Sequence, residues 1–168
     1  MNNRSEQRIT LGTIVAPHGV RGDLRLRPDI ERPEVLKKLR QIYIGDTLYT
    51  LCAAHSHKNV YILHVEGIGD RNGAEAVVGR PASVPVSQIP PLPRGEYYYF
   101  QLMGLMVTEE DGREVGPIRE IIQTGANDVY VAVLPGGKEL CIPAIPPVIL
   151  SVDPAAGRMT VRLPEWED

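Results

Sequence analysis

The sequence predicts a mainly β fold: two small β-barrels joined by a proline-rich linker, with one or two short helices. Three observations predict it. Apolar stretches are short and end at turn residues, with 16 glycines and 15 prolines to break the chain. Several stretches favour β-branched residues or alternate polar with apolar, the period of a strand with one wet face. Prolines 85, 90, 91 and 93 crowd one tract, where a residue that cannot donate to a sheet ladder holds the backbone extended.

Residues 9–16 are apolar and β-branched, and Pro17-His18-Gly19 ends that first strand. Asp23-Leu24-Arg25-Leu26-Arg27 alternates strictly, so Arg25 and Arg27 share an outer face while Leu24 and Leu26 turn inward. Residues 33–40 read as a short helix, with proline at its start and Val35, Leu36 and Leu39 at helical spacing. Strands follow at residues 41–44, 48–54 and 60–65, with turns at Gly45-Asp46 and Lys58-Asn59. Residues 70–79 form the clearest helix signal. Asp70 is placed to accept the unpaired N–H groups of the first turn, and Gly79 stands where the helix stops. The expected division is therefore a first barrel over 1–88, a semi-rigid linker over 89–96 and a second barrel over 97–168. In the second barrel, residues 102–108, 115–123, 129–134, 139–142, 148–152 and 159–163 read as strands. Asp111-Gly112, Gly136-Gly137 and Ala156-Gly157 serve as hairpin turns.

The net charge of −3 over 168 residues is too small for a protein that coats phosphates, but it is unevenly spread. Residues 1–88 hold 12 Lys/Arg against 9 Asp/Glu, a net +3, and residues 89–168 hold 6 against 12, a net −6. The first half suits a place near RNA; the second suits a basic protein. Residues 1–8 are polar and carry no apolar signal core, and no apolar run is long enough to span a bilayer, so a cytoplasmic address with no membrane partner is expected. Cys52 and Cys141 are isolated in apolar stretches and read as buried, reduced thiols.

No phosphate-binding glycine loop, nucleophile elbow or zinc-protease helix is present, so the chain reads as a non-enzyme with no catalytic residue. His55 and His57 share a strand face with His64 opposite on the next strand. Without a carboxylate or thiol to complete a ligand set, they read as half-exposed strand residues, not a metal site. Glu109-Glu110-Asp111-Gly112 lacks the alternating ligand spacing of a calcium loop and reads as a hairpin tip. No cofactor is expected.

Two patches stand out. In Pro17-His18-Gly19-Val20-Arg21-Gly22, a loop shaped by glycine and proline projects His18 and Arg21, and Arg25 and Arg27 extend the positive charge along a strand. Such a loop suits RNA phosphates or an irregular RNA shape; a sterically required turn with solubilising arginines fits equally. In Tyr97-Tyr98-Tyr99-Phe100, four of the eight Tyr and Phe residues stand together after the linker. If the run is extended, its rings face both sides, so some anchor a partner protein or cover the domain junction. Tyr97, Tyr98 and Tyr99 are the candidate partner-binding residues.

Several segments resemble one family in order along nearly the whole chain. Residues 9–15 followed by Pro17-His18-Gly19-Val20-Arg21-Gly22-Asp23-Leu24 look like the opening of RimM ribosome maturation factors, and Asp70-Arg71-Asn72-Gly73-Ala74-Glu75-Ala76 like the helix that closes the family's first domain. Tyr97-Tyr98, Leu102-Met103-Gly104-Leu105-Met106-Val107, Gly137-Lys138-Glu139, Ile142-Pro143 and, most specifically, Thr124-Gly125-Ala126-Asn127-Asp128-Val129 resemble its PRC-barrel domain. The resemblance implies an N-terminal six-stranded barrel like those of translation elongation factors, followed by a PRC-barrel. It implies a role in maturing the head of the small (30S) ribosomal subunit and in processing 16S rRNA. It also implies docking on a ribosomal protein of the head through the tyrosines at Tyr97 and Tyr98; a monomer is expected. The alternatives from other classes are an RNA-processing enzyme and a PRC-barrel adaptor of another complex.

Overall fold

In a computed structural model that describes residues 7–163, the chain divides into two compact units, one ending at Arg94 and one beginning at Gly95. Most of the polar opening of the chain, residues 1–6, and its last five residues lie outside the described residues.

The mainly β reading holds. In the first unit, β1 (Arg8–His18), β2 (Asp23–Pro28), β3 (Gln41–Ile44), β4 (Thr47–His57), β5 (Val60–Val65) and β6 (Pro81–Pro85) close a barrel in the order β1-β2-β5-β4-β3-β6. Alternation decides which way each side chain faces. Along β2, Leu24 and Leu26 are fully buried while Arg25 and Arg27 are exposed. Leu11, Ile14, Ile42, Ile44, Leu63 and Val84 fill the interior with them.

Barrel closure rests on β6, which pairs with both β1 and β3. The expected elements include no strand there, and prolines, which ordinarily demote a strand, bound the segment. Both prolines sit at the ends of the ladder, Pro81 opposite Thr13 and Pro85 opposite Arg8, where the missing N–H costs little. Between them Ala82, Ser83 and Val84 are buried.

The two predicted helices form. Pro33–Lys38 is a 3-10 helix that buries Val35 and Leu36. Helix α1 (Arg71–Glu75) starts at Asp70, whose Oδ1 accepts the Gly73 N–H at 2.8 Å. The segment ends at Gly79, φ +91°, in the left-handed region that favours glycine.

The second unit is a six-stranded sheet in the order β10-β9-β8-β7-β12-β11. Its strands are β7 (Met106–Glu109), β8 (Glu114–Gln123), β9 (Asp128–Val133), β10 (Glu139–Pro143), β11 (Ile149–Asp153) and β12 (Arg158–Val161). Five ladder contacts are not all alike: four are antiparallel, but β7 and β12, the first and last strands of the unit, pair in parallel. Val107, Ile118, Ala132, Ile142, Met159 and Val161, drawn from β7, β8, β9, β10 and β12, converge on one core. Burying each such aliphatic side chain contributes roughly 1.5–3 kcal/mol.

Two expectations change. The segment expected to be a strand from residue 102 begins instead within a short helix, α2 (Tyr99–Leu102). The Tyr98 N–H donates to Gln101 Oε1 at 2.8 Å, and the Met103 N–H donates to the Tyr99 carbonyl at 2.9 Å, so local bonds favour a helical turn over extension. The cysteines are free but exposed, not buried. Cys52 follows the inward Leu51 on β4, and Cys141 precedes the inward Ile142 on β10, so strand alternation turns both outward.

Candidate functional site

The loop between β1 and β2 is held from three sides. Gly22 has φ +91°, and a Cβ there would stand 2.7 Å from the Ile68 carbonyl carbon, so a side chain is excluded. An Arg71 guanidinium N–H donates to the Gly19 carbonyl at 3.0 Å. Arg25 Nε donates to His18 Nδ1, also at 3.0 Å. This scaffold presents Val20, 73% exposed, and an exposed Arg21. Arg25 and Arg27 follow on the outer face of β2, so the four residues singled out from the sequence share one region of the first barrel. Among the described residues, Arg21, Arg25 and Arg27 form no ion pair with a carboxylate.

The histidines are better connected than their spacing suggested. His64 stands across from Ala53 on β4, not from His55. Its Nδ1 lies 2.7 Å from Asp23 Oδ1, a carboxylate supplied by the neighbouring strand β2. The sequence reading found no carboxylate near these histidines, because Asp23 is far from His64 along the chain and only the β2–β5 pairing brings them together. Asp23, His55 and His64 line a depression of about 220 Å³ with Arg21, Ala53 and Ile62. His57 meets His18 edge to face, ring centroids 5.5 Å apart. No group of three or more His, Cys, Asp or Glu side chains among the described residues is placed to hold a metal ion.

In the second unit, the tyrosine run is sorted by α2. Tyr98 is 2% exposed and stacks on Phe100, with centroids 5.4 Å apart. Tyr97 and Tyr99 are half-buried and pack on the margin of the second core. The Tyr97 hydroxyl donates to the Val152 carbonyl on β11 at 3.4 Å, and the Tyr99 hydroxyl donates to Asp128 Oδ2 at 2.9 Å. Asp128 ends the Thr124–Asp128 turn, in which Thr124 Oγ1 accepts the N–H groups of Ala126 and Asn127 and bonds the Asn127 carbonyl. That turn thus fixes the carboxylate that orients Tyr99. Beside it, burial first and then the charge of Asp128 push the Tyr130 hydroxyl above the ordinary tyrosine range.

The acidic hairpin tip is a salt-bridged turn. Glu109 binds Arg113, and Glu110 takes a two-pronged contact from Arg162, both prongs 2.8 Å. The Arg162 hydrogen bond holds the Glu110 carboxyl below its ordinary value.

A family model described as the RimM N-terminal domain matches residues 9–89, and one described as the RimM PRC barrel domain matches residues 99–166. The chain is 40% identical to the ribosome maturation factor RimM of Heliobacterium modesticaldum over 168 residues, 95% of this chain and 97% of that protein. It is 43% identical to the protein of the same name from Geotalea daltonii over 164 residues, 95% and 94% of the two chains. Among solved structures, a putative 16S ribosomal RNA processing protein RimM from Pseudomonas aeruginosa is 28% identical, covers 94% of this chain and 98% of that one, and has a TM-score of 0.48.

Proposed function

The chain belongs to the RimM family of ribosome maturation factors, and from that premise we propose that it assists assembly of the 30S head and processing of 16S rRNA without catalysing a reaction. The second unit, residues 97–168 beyond a linker over 89–96, docks on a basic ribosomal protein of the head. The first unit turns His18, Arg21, Arg25 and Arg27 toward the rRNA of the precursor subunit. The protein acts as a cytoplasmic monomer. No helix among the described residues is long and apolar enough to cross a membrane.

One observation carries the docking half of this reading. Tyr97 and Tyr99 keep part of their surface open while their hydroxyls are tied to Val152 and Asp128. Such rings lose little freedom on binding and bury much area, which is how an interface anchor works. The negative balance of residues 89–168 complements a basic partner. Tyr98 is not part of that open edge: it is buried and stacked on Phe100.

The test is calorimetric titration of the purified head ribosomal proteins into the full chain. Tyr97→Ala with Tyr99→Ala is expected to weaken the productive pairing by tenfold or more, roughly the weight of one hot spot, with an unchanged circular dichroism spectrum. Unchanged affinity in a folded variant would remove this edge from the interface. Incubation of precursor 16S rRNA with the purified protein alone is expected to leave it uncut; cleavage would replace the assembly role with that of an RNA-processing enzyme.

A further inference from the structure

All four histidines of the chain lie in the first unit; one of them, His18, bonds an arginine and meets the ring of a second, His57. His18 ends β1, Arg25 lies on β2 and His57 ends β4. Arg25 Nε donates to His18 Nδ1 at 3.0 Å, and the His57 ring stands edge-on to His18 with centroids 5.5 Å apart. An imidazole nitrogen that accepts a hydrogen bond carries no proton, so the His18 proton is on Nε2, a donor. Arg25 spends only Nε on this contact and keeps the N–H groups of both terminal nitrogens. The result is a local surplus of donors.

Little about the cluster suits a purely structural role. An exposed guanidinium bonded to a neutral imidazole gains less than one paired with a carboxylate. The carboxylate of this face, Asp23, is engaged by His64 at 2.7 Å and is not an ion-pair partner of Arg25. Lys58, Arg27 and Arg21, adjacent along these strands and turns, add further cations and no acid. The cluster is also preorganised: the Arg71 bond to Gly19 and the exclusion of a side chain at Gly22 hold the loop that carries His18.

We propose that His18, Arg25 and His57 form a seat for a single backbone phosphate of RNA. The planar guanidinium of Arg25 supplies the charge and a two-pronged grip, and the imidazoles, His18 beside Arg25 and His57 beside His18, supply directional donors. The inference rests on the reading that this face lies toward RNA, and it adds His57 and a defined stoichiometry to it: three side chains, one phosphate. Arg21 and Arg27 contact neighbouring phosphates independently.

The experiment is fluorescence anisotropy of a labelled 16S rRNA fragment from the subunit head, titrated with the full chain over a series of KCl concentrations. Arg25→Gln is expected to weaken binding about tenfold and to lower the slope of log affinity against log salt by about one, the signature of one lost phosphate contact. The triple variant His18→Gln, Arg25→Gln, His57→Gln is expected to lower the slope by the same amount, because the three share one phosphate. Arg25→Lys keeps the charge, so it retains the slope while losing affinity. Thermal melts check that each variant is folded; the three side chains are at the surface or half-buried.

A slope that falls by two or more in the triple variant would replace the single seat with separate contacts. If Arg21→Gln with Arg27→Gln weakens binding while the seat variants do not, the seat is wrong and the RNA-facing reading stands. If no variant changes RNA affinity, both fall. Loss of affinity for a head ribosomal protein, with RNA binding intact, would assign the seat to a protein carboxylate instead.

Discussion

The two units spend their arginines differently. In the second, Arg113 is bound to Glu109 and Arg162 to Glu110, while Arg119, Lys138 and Arg158 enter no such pair among the described residues, and the excess of carboxylates sets its sign. In the first, Arg8 and Arg71 pair with Asp46 and Glu75, but Arg21, Arg25 and Arg27 form no such pairs among the described residues and share a face with the histidines. The strand networks differ in the same direction. The first sheet closes, so its outer face is continuous and recognition must use side chains. The second is a ladder with β10 and β11 at its ends, and its aromatic edge grips β11 through Tyr97. Two sets of six strands thus carry opposite charge balances, net positive over residues 1–88 and net negative over residues 89–168.

The largest effect that would break this contrast is at Tyr98. A buried ring stacked on Phe100 makes Tyr98→Ala a cavity mutation, expected to cost about 3–5 kcal/mol in urea denaturation. A loss below about 0.5 kcal/mol would make Tyr98 a surface ring like its neighbours and return it to the docking edge.

Next in size is an alkaline limit on the second unit. The Tyr130 hydroxyl is raised by burial and by Asp128, so the folded state holds its proton longer than the unfolded chain does. That stability is complete below the unfolded value, about pH 10, and is lost as the pH rises from there through the folded value. Tyr130→Phe is expected to flatten the alkaline fall in melting temperature. A fall of the same steepness in the variant would assign it to another group.

The smallest effect concerns the exposed pair at the hairpin tip. The Arg162 hydrogen bond lowers the Glu110 carboxyl, so its contribution is present at neutral pH and fades as the pH falls through the folded value. In an NMR titration, Arg162→Gln is expected to return Glu110 toward the ordinary carboxylate range. An unmoved titration would mean that the pair does not persist in solution.

Much of this architecture could be read locally. Period-two patterning in Asp23–Pro28 assigned both its faces, Asp70 marked the start of α1, and proline with Val35, Leu36 and Leu39 marked the 3-10 helix. These depend on neighbours within a few residues, which a sequence displays directly. The same alternation, applied to Cys52 and Cys141, would have turned both outward; the apolar company they keep along the chain hid it. The basic loop and the tyrosine run were also visible as residue types at close spacing. What lay hidden was partnership: that Asp23 serves His64, that His57 meets His18, and that Asp128 orients Tyr99. None of these pairs is close in sequence, and each is created by strand register or by a turn that returns to α2.

The sequence by itself therefore determined the class of the fold, most of its strands, and the sign of charge each half presents. Only the tertiary structure decided the closure of the first barrel by β6, the parallel pairing of β7 with β12, and the division of the tyrosines into one buried ring and two at the edge. The physical reason is the same in each case. Patterning tells a residue which face it belongs to, but burial and pairing depend on what the rest of the chain brings to that face.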